Sequence, residues 1–167
     1  MLQDLRGIAT TAKIAGHPIH PMLIPFPIAL LIATFTSDLV FWGTGDAFWG
    51  RGSFWLLVSA LFMSTLAAVA GFVDFFGNVR IRQMSDAWQH MIANLAAVVL
   101  AMINLFVRWG PDPAQGVLPW GLLLSAAVVL LLLFSGWKGG SLVNHHRVGI
   151  HPEEPASGSE PPAHGRY

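Results

Sequence analysis

Residues 15–42 read AGHPIHPMLIPFPIALLIATFTSDLVFW: two histidines and four prolines, followed by an apolar run. A hydrocarbon core about 30 Å thick takes roughly 20 apolar residues at helical rise. Met22–Trp42 meets that length, and so do Phe54–Phe76, Ala87–Trp109 and Val117–Trp137. None of the four runs alternates with period two. In lipid every backbone N–H and C=O must be paired inside its own segment or in a closed barrel, so runs of this kind choose helix.

Composition agrees. Hydrophobic residues make up 54% of the chain and charged ones 11%, against about 25% charged in an ordinary soluble domain. The links between the spans are short, near Gly43–Ser53, Gly77–Asp86 and Gly110–Gly116. Short links make neighbours in sequence antiparallel neighbours in space. The expected fold is therefore all-α: an integral membrane four-helix bundle running up-down-up-down. It occupies residues 14–150, after an N-terminal segment 1–13 and before a tail 151–167. That tail is rich in Pro, Gly, Ser and Glu, and a segment of that kind buries too little apolar surface to offset its ordering entropy. The N-terminal residues lack the cleavage pattern of a secretory signal, so the first span is expected to stay.

The chain has no cysteine, which removes disulfides, thiolate ligands and c-type haem attachment. Nine Lys and Arg balance nine Asp and Glu, leaving no basic surface for nucleic acid. The position of the charges is more informative. Alternating spans put Arg6, Lys13, Arg80, Arg82, Lys138, Arg147 and Arg166 on one side and Arg51 and Arg108 on the other. Cytoplasmic loops hold such an excess, so both termini are expected in the cytoplasm of a bacterial-type inner membrane, with the lipid bilayer as the first partner. Trp42, Trp49, Trp55, Trp109 and Trp120 would mark one headgroup level, and Trp88 and Trp137 the other.

On this frame all seven histidines share one side. His17 and His20 precede the first span, and His90 lies about one turn inside the third. His145 and His146 follow the fourth span, and His151 and His164 lie in the tail. Ionisable groups in hydrocarbon cost roughly 2.5–3.5 kcal/mol at mid-membrane, so they face the interior and find partners. Asp74 and His90 fall at similar depth across a short loop, and a carboxylate–imidazole hydrogen bond is expected between them. Asn94, at i+4, shares the face of His90. Asp38, about one turn from the opposite end, is expected to be a helix clamp helped by Ser37, Thr36 and water.

The prolines at 18, 21, 25 and 27 push His17, His20, Ile24 and Phe26 toward extended geometry. A stiff entrance would hold His17 and His20 with little freedom. Three chemistries are open to such imidazoles. They are ligation of a transition metal by His17, His20 and His90 with Asp74 orienting a ligand, axial ligation of haem b, and proton relay. A scaffold, with polar residues that only fix helix register, stands against all three. A small transporter is the weakest reading, since no inverted repeat is evident. No nucleophile with a base and no phosphate-cradling loop is present.

The segments AGHPIHPMLIPFPIALL, AGFVDFF, WQHMIANLAAVV and SGWKGGSLVNHHRVGI together resemble the family called domain of unknown function 2231, over roughly Ile14–Ile150. The resemblance implies a four-helix membrane domain and an association, in some architectures, with redox membrane proteins. Its matching positions here are His17, Pro18, His20, Pro21, Asp74, His90, Gly139 and Gly140. Pro25 stands where relatives often carry a further histidine.

Overall fold

The prolines do not keep the entrance out of helix. The computed structural model describes residues 7–150, so the expectations for the tail, His151 and His164 lie outside the described residues. A two-residue strand β1 (Lys13–Ile14) pairs antiparallel with β2 (His17–Pro18). Ala15 and Gly16 turn between them at φ 49° and 82°. Two consecutive left-handed residues make the tight hairpin turn in which glycine is free of strain and alanine is not.

Helix follows at once, as α1 (Ile19–Leu23) and α2 (Pro25–Thr44). Pro18 is the N-cap of α1 and Pro21 lies in its first turn, where N–H groups have no intrahelical partner and proline costs little. Ile24 was expected to be extended, yet it keeps φ −55° and ψ −36°. Its N–H donates to the His20 carbonyl at 3.1 Å, and the Ile28 N–H donates to the Ile24 carbonyl at 3.3 Å. Pro25 and Pro27 thus delete donors without breaking the path, and the first span runs from Ile19 to Thr44.

Three more spans follow: α3 (Ala47–Gly77), α5 (Ser85–Val107) after a short α4 (Val79–Arg82), and α6 (Leu122–Asn144). All four spans are long and apolar enough to cross a membrane. The link expected over Gly43–Ser53 shrinks to Gly45 and Asp46. Gly45 ends α2 at φ 69°, and the Asp46 carboxylate accepts the Phe48 N–H at 2.9 Å to start α3. Before α6 the chain makes an irregular double turn, Pro113–Gly116 and Val117–Gly121, with Leu118 extended.

α2 packs on α3 and α5 on α6, and α3–α5 and α2–α6 contacts close the bundle. Leu31, Leu57, Ala60, Leu61, Ala97, Ala101 and Val128 fill its middle. Ala67, Ala93 and Ala97 are buried, where small side chains let helices approach closely. A second apolar cluster of Ile8, Phe75, Ile81 and Ala87 lies at the end carrying the histidines, and packs Ile8 against α3, α4 and α5. Exposed Trp42, Trp49, Trp55, Trp109 and Trp120 ring the other end, as headgroup-level tryptophans do.

Candidate functional site

Two polar clusters lie at opposite ends of the bundle, and their hydrogen-bond valences separate them. At the tryptophan-ringed end Arg108, counted from sequence only among the charges of that side, is buried at 1% exposure beside Asp38 at 0%. Its Nη1 and Nη2 donate to Asp38 Oδ1 and Oδ2, each at 2.7 Å. Nη1 also donates to Ser53 Oγ at 2.6 Å, Nη2 to Ser125 Oγ at 3.1 Å, and Nε to Asn104 Oδ1 at 2.8 Å. A guanidinium has five N–H donors, and all are used. Ser125 Oγ donates to Asp38 Oδ2 at 2.6 Å, and Asn104 Nδ2 donates to Ser125 Oγ and to the Gly121 carbonyl. The cluster ties α2, α3, α5 and α6 and leaves no guanidinium donor for a ligand. Asp38 is therefore a clamp, as expected, but Arg108 takes the place assigned to water and Thr36.

Two surface clefts open at this end, lined by Trp55, Trp109 and Pro111 among others. Their charged groups are already paired, Arg51 with Asp112 at 3.1 Å and Arg108, which lines the second cleft, with Asp38. The Arg51 hydrogen bond holds the Asp112 carboxyl below its ordinary value of 3.8. Any stability this pair adds is present above that ordinary value and is lost as pH falls through the depressed one. In Arg51→Gln the Asp112 carboxyl, followed by carbon NMR, should titrate back at a higher pH.

The opposite cluster is open. His20 Nδ1 lies 2.8 Å from the Ala67 carbonyl, and His90 Nδ1 lies 2.9 Å from the Ser135 carbonyl. A carbonyl only accepts, so each Nδ1 carries a hydrogen, and in the neutral ring the lone pair is then on Nε2. Asn94 Nδ2 lies 3.1 Å from His90 Nε2, as a donor to that lone pair would. The rings stand edge to face with centroids 6.4 Å apart. Gly71 makes room for one: a Cβ there would meet His20 Cε1 at 2.9 Å. Gly139 makes room for the other, with His90 Cε1 at 3.0 Å from a Cβ.

The expected Asp74–His90 bond is replaced. Asp74 Oδ1 accepts the amide N–H of Thr11 at 2.6 Å and of Ala12 at 2.7 Å. The incoming chain offers two amides that need an acceptor in a buried place, and His90 already has the Ser135 carbonyl. His17 is exposed on β2. Among the described residues no three His, Asp or Glu side chains are grouped to hold a metal, so the metal set of His17, His20 and His90 is reduced to a pair of imidazoles. His146 turns to Asp86, 3.1 Å away, which also accepts from Lys138 at 3.0 Å.

A family model described as predicted membrane protein (DUF2231) matches residues 16–152. No curated protein and no solved structure matches the chain.

Proposed function

Because the chain belongs to the DUF2231 family of predicted membrane proteins, we propose that this integral membrane protein offers His20 and His90 as nitrogen ligands to a transition metal. The metal is a bare ion or the iron of haem b, and the setting is a redox pathway with other redox membrane proteins as partners. One observation carries the reading: both Nδ1–H groups are committed to helix carbonyls, which leaves the two Nε2 atoms as the reactive face, with the Asn94 amide on that of His90 as the group a ligand would displace. Metal-ligating histidines almost always donate their other ring N–H in this way, fixing tautomer and orientation. The donor set fits a nitrogen-preferring metal that takes two protein ligands and fills its other positions from outside. Such a group, when bound, supplies the electron-transfer chemistry. The chain's own residues hold the imidazoles: Ala67 and Ser135 through their carbonyls, Gly71 and Gly139 by leaving space. His17 and Asp74 are not needed as ligands.

Protein purified in mild detergent should carry metal, or take up added cobalt(II) or haem, and lose that capacity in His20→Leu and His90→Leu. A Soret band assigns haem, and elemental analysis without one assigns a bare ion. Colourless, metal-free protein that takes up neither defeats the proposal.

The saturated Arg108 cluster favours a second reading, a non-enzymatic scaffold or assembly subunit. On that reading His20→Leu and His90→Leu leave folding and partner recovery unchanged. Against transport stands the bundle's middle, where Leu31, Leu57, Leu61 and Val128 offer nothing to a polar solute.

The Lys and Arg excess at the histidine end supports a bacterial-type inner membrane with both termini cytoplasmic, around one transmembrane domain over residues 14–150. Since the chain has no cysteine, Ile14→Cys puts a single thiol on the hairpin, at a position 67% exposed. A membrane-impermeant maleimide should label it only after cells are opened; labelling of intact cells would reverse the orientation.

A further inference from the structure

Asp74 is 7% exposed and lies one turn beyond Gly71, which faces His20, yet it bonds to neither ring. Its position along α3 explains what it does. Ala67, Gly71, Asp74 and Asn78 recur at helical spacing, and each receives part of the incoming chain. Ala67 offers its carbonyl to His20, Gly71 gives the ring room, Asp74 takes two amides, and the Asn78 side chain donates to the Ala9 carbonyl at 3.0 Å.

From Asp74 a short line of bonds leads to the imidazole. Asp74 Oδ1 fixes the Ala12 amide, and the Ala12 carbonyl accepts the Ile19 N–H at 3.0 Å. This closes the β1–β2 hairpin at the base and sets the first residue of α1. His20 is the next residue, and its Nδ1 then falls 2.8 Å from the Ala67 carbonyl. Thr10 contributes no side-chain bond, since its Oγ1 is buried without a partner, so the strap is held at this point by the carboxylate. His90 depends on none of this: its bonds run to Ser135 and Asn94, within the α5–α6 pair.

We infer that Asp74 is a positioning residue, which sets His20 against His90 by gripping the backbone amides of Thr11 and Ala12 rather than by touching an imidazole. The inference rests on the reading that the two imidazoles form the binding site, and it is tested by a signal that exists without any metal.

In protein carrying nitrogen-15 histidine, ring NMR reports the tautomer of each imidazole. The wild type should show His20 and His90 both protonated at Nδ1. Asp74→Leu should leave His90 unchanged and turn His20 into an average of tautomers, and Asp74→Asn, which keeps an Oδ1 acceptor for both amides, should restore the wild-type signal. Cobalt(II) or haem affinity should fall about 10–100-fold in Asp74→Leu, the range for lost orienting partners of a ligand, and recover in Asp74→Asn. If Asp74→Leu does not fold, Asp74→Ser, whose hydroxyl is too short to span both amides, carries the same expectation. An unchanged His20 signal in Asp74→Leu, or equal loss in Asp74→Asn, overturns the inference. Tautomers that respond as stated in protein that binds neither cobalt nor haem uphold the positioning role and end the metal reading.

Discussion

Arg108→Leu should cost the bundle about 3–5 kcal/mol, the range for breaking a buried ion pair by removing one partner. The loss is not that of one hydrogen bond, which in membrane proteins averages about 0.6 kcal/mol. Asp38 would be left as a carboxylate at 0% exposure, with Ser125 as the remaining donor to it. Ser53 Oγ and Asn104 Oδ1 would lose their guanidinium donors as well. Asp38→Leu should be comparably damaging, because it strands the guanidinium. The double variant Asp38→Leu with Arg108→Leu removes both charges, and replacing a buried pair by apolar residues is often neutral or stabilising. It should therefore recover most of the loss. Reversible unfolding in mixed micelles, run as a double-mutant cycle, gives the coupling. Losses that simply add, or an Arg108→Leu loss below about 1 kcal/mol, would show that the pair is not what locks this end.

The four spans were legible because hydrocarbon imposes one rule: a long apolar run must be helix. What escaped was read through the habits of soluble proteins. Gly50, Arg51, Gly52 and Ser53 look like a loop, yet all four lie in α3. Gly50 packs against Ala114, where a Cβ would come within 2.7 Å of Ala114 Cβ, and Ser53 takes a guanidinium hydrogen bond. Small residues there mean close approach of helices rather than a turn. Arg108 sits at the end of α5, where a cation is normally assumed to reach for headgroups. A signal was available: Asp38, the one Asp, Glu, Lys or Arg of its span, needed a cation at its own depth, and Asn104 lies one turn before Arg108. The His20–His90 pairing could be anticipated, because both residues sit at the start of a span, and alternating spans put the two starts on the same side. The partner of Asp74 could not, since backbone amides leave no mark in a sequence.

Gly116→Ala and Gly121→Ala should each destabilise by about 1–3 kcal/mol, the usual range for overpacking. Conformation is not the reason: Gly121 sits at φ −59° and ψ −46° and Gly116 at φ −83° and ψ −2°, which alanine adopts freely. Space is. A Cβ on Gly116 would lie 2.5 Å from the Val107 carbonyl oxygen and 2.7 Å from Arg108 Cα. A Cβ on Gly121 would lie 2.5 Å from the Gly116 carbonyl oxygen and 3.1 Å from Arg108 Nη2. Backbone cannot swing aside as a side chain does, so relief means moving the end of α5, and with it the guanidinium that five bonds hold. Gly136→Ala is the control. It lies within α6 with nothing inside 4 Å of the added Cβ, and there alanine should be neutral or stabilising by up to about 1 kcal/mol. If Gly116→Ala unfolds no more easily than Gly136→Ala, the double turn before α6 does not press on Arg108, and the dryness of the ion pair must have another source.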